Sequence, residues 1–191
     1  MPYSGDSTTS TCGNFVCDAD EHPETCPSDC GEMILKPNSL GNSESRGQMF
    51  TVDAKINHVT ITSFDVAGIE NGNTMCSVFT RAGEYRGHEE DSSGWELIFE
   101  KRVSLKQGAP TTLGALYQDV TILSGSRQAF YIICKAGFLY KQGKTEGAPY
   151  YSDNGLIINE GVATKKLFQK VTEKLQYSGW IRYVYQQSEL R

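Results

Sequence analysis

The sequence predicts a mainly β protein: an antiparallel β-sandwich with a small disulfide-rich loop at the N-terminus and one short helix. Three observations lead there. The longest uninterrupted apolar run, residues 129–134, is short, rich in β-branched and aromatic residues, and bounded by Gly125-Ser126 and Gly137, which favours a strand over a helix. Its alternate residues, Phe130, Ile132 and Cys134 against Ala129, Tyr131 and Ile133, are apolar on both faces. Each face therefore needs a cover, and a second packed sheet is the simplest one. Finally, from Gly47 onward turn and strand signals recur at short intervals, without the long helical segments of alternating βα units.

Taken in order, residues 1–11 are Ser, Thr, Gly and Asp with one Tyr after the initial Met1-Pro2, the composition of a loose tail. Residues 12–31 hold Cys12, Cys17, Cys26 and Cys30 together with five carboxylates and no Lys or Arg. With Cys76 and Cys134 the cysteine count is six, which points to disulfides and an oxidising compartment. A zinc site is the competing reading, but the gaps of four, eight and three residues lack the usual Cys-x2-Cys pairs. Four cysteines allow three connectivities. We expect the crossed pair, Cys12 with Cys26 and Cys17 with Cys30, because it ties both ends of the acidic segment. Cys76 and Cys134, each inside an apolar strand, are expected to pair with one another.

So many like charges in one small loop must be solvated or bridged by a cation. Calcium, which accepts hard oxygens in irregular loops, is the natural choice; a solvated acidic turn is the alternative. Residues 32–46 have the Gly/Ser/Asn/Pro content of a linker, broken by Met33-Ile34-Leu35, which could dock as a short edge strand.

The sandwich is expected over residues 47–186, with strands near residues 49–52, 59–66, 74–81, 95–103, 120–123, 129–134, 137–141, 156–158 and 179–185. Val59 and Ile61 fall on one face and Phe64 and Val66 on the other, so a bulge near Thr62-Ser63 is needed to turn all four inward. Residues 95–103 alternate cleanly, with Trp95, Leu97, Phe99 and Val103 opposite Glu96, Glu100 and Arg102. Residues 82–94 mix both charge signs and read as a solvated loop. Between residues 164 and 176, Leu167, Phe168, Val171 and Leu175 sit at helical spacing with lysines outside, which places the short helix there. Residues 187–191 form a polar tail.

Two resemblances add to this. Residues 12–31 resemble a cysteine motif of secreted bacterial and marine algal proteins, of the form Cys-Gly-Asn-Gly-x-Cys-Asp-x-x-Glu followed by Cys-Pro-x-Asp-Cys, departing from it at Phe15 where the pattern has Gly. The resemblance implies calcium held by Asn14, Asp18, Glu21 and Asp29, with Asp20 and Glu24 in reserve. From Gly47 to Tyr185, the segments Gly47-Gln-Met-Phe-Thr-Val, Val59-Thr-Ile-Thr-Ser-Phe-Asp65, Ser93-Gly-Trp-Glu-Leu97 and Gly179-Trp-Ile-Arg-Tyr183 resemble a β-sandwich unit of extracellular diatom and marine bacterial proteins. That likeness implies a jelly-roll-like extracellular module and carries no catalytic set.

Net charge of −5 leaves no basic field to condense on nucleic acid or anionic lipid. No stretch is long and apolar enough for a membrane helix. Residues 1–4 lack signal-peptide features, so Met1 is expected to begin a trimmed form of the chain. No nucleophile elbow, zinc-protease, phosphate-loop or dinucleotide motif is present, and His22, His58 and His88 stand in no catalytic pattern. The expected function is a non-catalytic extracellular module that binds a glycan or a protein partner. A carbohydrate-binding accessory domain or glycan-active enzyme is the alternative, since paired carboxylates leave no local signature; a structural unit of a cell covering is a third. Sugars stack on exposed rings, which nominates Tyr140, Tyr150, Tyr151 and Trp180. Tyr150 and Tyr151, beside Asp153 and Asn154 in a long loop, lead as ligand-binding residues.

Overall fold

In the computed structural model, which describes residues 12–14, 17, 21–169 and 171–186, two antiparallel sheets pack face to face. The N-terminal and C-terminal tails expected from composition lie outside the described residues. The smaller sheet has five strands: β1 (Met33–Leu35), β12 (Trp180–Tyr185), β3 (Val59–Ala67) and β6 (Pro110–Thr112) in that order, with β7 (Val120–Ile122) also on β3. The larger sheet has seven: β11 (Val171–Gln176), β10 (Leu156–Thr164), β2 (Ser43–Ala54), β8 (Arg127–Gln142), β4 (Gly72–Ala82) and β5 (Glu96–Leu105), with β9 (Pro149–Ser152) on β10. The chain crosses between sheets at each step from β2 to β3 to β4, and β8 returns between β2 and β4.

The apolar run 129–134 is indeed central, paired with β2 on one side and β4 on the other. Its inner face, Phe130, Ile132 and Cys134, joins the core between the sheets with Phe50, Val78, Phe64 and Tyr177. Phe64 meets Phe130 edge-on at 4.9 Å and Phe50 stacks on Tyr177 at 4.3 Å. Each such ring contributes roughly 1.5–3 kcal/mol by leaving water. In β3 the register against β12 skips Thr62, and Val59, Ile61, Phe64 and Val66 are all fully buried, as the apolar phase required.

The outer face of the run is covered differently. Tyr131 and Met49 are fully buried beneath Tyr85, Trp95 and Phe168, which arrive from two loops. The segment 82–94 is thus more than a solvated loop: Tyr85 is fully buried, and Glu84 is anchored by Arg127, which also grips Asp53 through Nε and Nη2 at 2.6 and 2.9 Å.

Among the described residues, no helix forms between residues 164 and 176. Phe168 takes a left-handed backbone conformation (φ 47°) that reverses the chain and drops its ring onto Tyr131 and Phe79, each 5.3 Å away; β11 then pairs with β10. The α-helix among the described residues is instead one turn, α1 (Pro27–Cys30), inside the cysteine motif. The alternation expected over residues 95–103 is also broken. Val78 pairs with Phe99 and Phe79 with Leu97, so Ile98 is an extra residue that turns into the core while Leu97 stays 40% exposed.

Candidate metal loop and aromatic cleft

The cysteine motif is closed by Cys12–Cys26 and Cys17–Cys30, the crossed connectivity, with Cα separations of 5.4 and 4.8 Å. Pro27 starts α1 at a position where no N–H is needed, and the turn directs Asp29 inward, where it is fully buried. Its Oδ2 accepts the N–H groups of Gly13 (2.7 Å) and Asn14 (3.1 Å) across the loop. Its Oδ1 is buried and has no hydrogen-bond partner among the described residues. A buried carboxylate oxygen without a partner is costly, and a hard cation relieves that cost.

Glu21 is buried as well, at 6% exposure, while Asn14 and the reserve residue Glu24 are exposed. Asp18 and Asp20 lie outside the described residues. The Cys12 and Cys26 sulfurs come within 4.8 Å of an Asp29 oxygen, but they are bonded to each other and offer no thiolate. The donors that remain are oxygens, which suit calcium rather than zinc.

The motif is fixed to the sandwich. β1 pairs with β12 through Met33–Tyr183, Ile34–Arg182 and Leu35–Ile181, and β2 already begins at Ser43. Beside this pairing Arg182 holds the buried Asp65 with Nε and Nη2 (2.9 and 3.1 Å) and reaches Glu32 with Nη1 (2.9 Å). Glu32 in turn accepts from the Thr62 hydroxyl of the β3 bulge at 3.0 Å. These partners hold the Arg182 guanidinium more firmly protonated than an ordinary arginine.

Tyr150 and Tyr151 lie on β9 and line a cleft of about 120 Å³ with Asn38, Lys141, Gln176 and Ser178. The Tyr150 hydroxyl donates to the Tyr177 carbonyl, and that of Tyr151 donates to Asn38 Oδ1 at 3.3 Å. Burial pushes the Tyr150 phenol well above its ordinary range. Asp153 and Asn154 are not in the lining. Asp153 closes its own turn, accepting from the N–H groups of Gly155 and Leu156 at 2.9 Å through Oδ1 and from the Tyr183 hydroxyl at 2.8 Å through Oδ2. Asn154 is exposed at the tip of that turn.

Of the other aromatic candidates, Tyr140 is buried at 2% exposure and donates to Glu173, and Trp180 is half-buried under the Lys36 ammonium, 4.7 Å from its ring centre. The cleft residues Asn38, Lys141, Gln176 and Ser178 were invisible in the sequence, since they come from three separate segments and no local pattern marks them. The chain matches no protein-family model, and no curated protein matches it significantly.

Proposed function

We propose that this protein is a non-catalytic extracellular module for binding or adhesion at a cell surface, matrix or glycan, with a cysteine-rich loop held by disulfides and calcium. One observation carries this reading. All six cysteines are paired, and two of the bridges cross a loop whose buried Asp29 has a carboxylate oxygen without a partner among the described residues. Three disulfides fit an oxidising compartment. Among the described residues no helix is long and apolar enough to cross a membrane. The likeness of residues 12–31 to the secreted cysteine motif, and of residues 47–185 to an extracellular sandwich unit, supports the same reading.

Asn14, Asp18, Glu21 and Asp29 would hold the calcium ion. Bound there, it would supply charge compensation that lets the acidic loop stay compact. The chain's own contribution is the rigid frame: crossed bridges, the Asp29 bonds to Gly13 and Asn14, and the β1–β12 pairing.

The cleft at Tyr150 and Tyr151 favours a second reading, a carbohydrate-binding accessory domain, because half-buried rings rimmed by amide and hydroxyl groups suit a sugar. A glycan array run with and without calcium tests both. Retention of a neutral glycan that is lost in Tyr151→Ala would establish the second reading. Conversion of any arrayed glycan to shorter products would overturn the non-catalytic one.

A further inference from the structure

On the far side of β8 the central strands part. Ser45 pairs with Phe138 and Gly47 with Ile133, so residues 134–137 of β8 stand opposite the single residue Arg46 of β2. Four residues against one is a large bulge in the middle of a sheet, and bulges of this kind re-aim side chains. It opens a groove of about 480 Å³ lined by Glu44, Ser45, Arg46, Ile69, Lys165 and Lys166.

The bulge is pinned at several points. Cys134, at its start, is bonded to Cys76. The Ala136 N–H donates to the Thr74 hydroxyl at 2.9 Å, and Phe138 bridges to Gly68. Gly137 takes φ 85°, and a Cβ there would stand 3.1 Å from the Ser45 carbonyl and 3.4 Å from Ile69. On the opposite rim the Tyr131 hydroxyl donates to the Lys166 carbonyl at 3.1 Å. The groove is therefore preorganised.

Its charges are unspent. Arg46, Lys165 and Lys166 make no ion pair or side-chain hydrogen bond among the described residues, and neither does Glu44. By contrast Arg127 and Arg182 each hold two carboxylates. Ser45, 8% exposed, adds a buried hydroxyl that has no partner among the described residues. Three unpaired cations around a pinned concavity with an unsatisfied hydroxyl, on a chain of net charge −5, form a local anion-binding feature against the field of the whole molecule.

We propose that this groove binds a saccharide bearing a carboxylate or sulfate ester, with Arg46 and Lys165 pairing the oxyanion and Ile69 meeting an apolar face of the ring. The acidic surroundings disfavour a long polyanion such as nucleic acid, so one compact anionic group is the unit recognised. The saccharide assignment rests on the extracellular reading above; the anion site rests only on the groove.

The test is calorimetric titration of the intact chain with a sulfated disaccharide, a uronate-containing disaccharide, the matching neutral disaccharide and inorganic sulfate. One or both anionic disaccharides should bind, more weakly as salt rises, and the neutral one should not. Arg46→Glu with Lys165→Glu should weaken binding at least about tenfold. Lys101→Glu with Arg102→Glu, both exposed on the edge strand β5, should leave it unchanged. Circular dichroism should show the variants folded. Absence of binding by every anion, or undiminished binding in the Arg46/Lys165 variant, overturns the site. Equal affinity for inorganic sulfate and the sulfated disaccharide overturns its assignment to a saccharide. Neither result bears on calcium or the Tyr151 cleft, so the two proposals fail separately.

Discussion

Cys76 and Cys134 are direct cross-strand partners on β4 and β8, with Cα atoms 4.1 Å apart and both side chains fully buried. Their bridge closes a chain segment with a sequence separation of 58. It lies within the core between the sheets and at the start of the bulge that opens the cationic groove.

Replacing both cysteines with alanine should therefore lower unfolding free energy by about 4 kcal/mol on chain-entropy grounds. Denaturant titration of wild type and Cys76→Ala/Cys134→Ala measures it. A loss confined to a few tenths of a kcal/mol would mean that packing alone holds these strands.

The Arg182 network makes a second expectation. Removing the guanidinium leaves Asp65, 2% exposed, as an uncompensated buried charge, so Arg182→Met should cost about 3 kcal/mol. The same change frees Glu32, and hydrogen exchange should speed up in β1 before it does in β2. Uniform loosening of both strands would show that the cysteine motif is not docked through this residue.

Much of this architecture could be read from residues. The Thr62 bulge was legible because Val59, Ile61, Phe64 and Val66 cannot share a face without it, and all four had to be inside. The bulge at Ile98 was not: Leu97 and Phe99 keep perfect alternation on paper, and only pairing with β4 shows that the strand slips by one. The lysine-rich segment failed for a related reason. Leu167, Phe168, Val171 and Leu175 fit a helical stripe, yet Val171 packs in the outer cluster and Leu175 in the inner one, separated by a register shift in β11. A left-handed Phe168 has no sequence signal. Tyr85 is one apolar anchor in a polar run, which composition cannot distinguish from a solvated tyrosine. Of the site, the disulfides and Asp29 were readable from a local motif, whereas the Tyr151 cleft and the cationic groove are assembled from distant segments.

Alkaline pH supplies a third expectation. Burial raises the phenols of Tyr85, Tyr140 and Tyr183, with Glu146, Glu173 and Asp153 respectively adding to the shift. A group bound more tightly to its proton in the folded state contributes stability that is complete below its unfolded pKa and is lost as pH rises through the folded value. Stability should thus hold to about pH 10, the ordinary tyrosine value, and fall above it. Ultraviolet titration should show these three phenols ionising only with unfolding. Reversible ionisation of all ten tyrosines near the ordinary value, in folded protein, would contradict the burial described.

We propose the crossed-disulfide loop as a calcium site, and calorimetric titration of calcium into chelator-treated protein is the test of it. One site is expected, with a dissociation constant of about 1 mM or tighter, as in extracellular calcium modules. That site should disappear in Asp29→Asn, which keeps an acceptor for the Gly13 and Asn14 N–H groups but loses the charge. Wild-type protein that takes up no calcium at millimolar concentration would contradict it, and would leave the loop as a disulfide knot with solvated carboxylates.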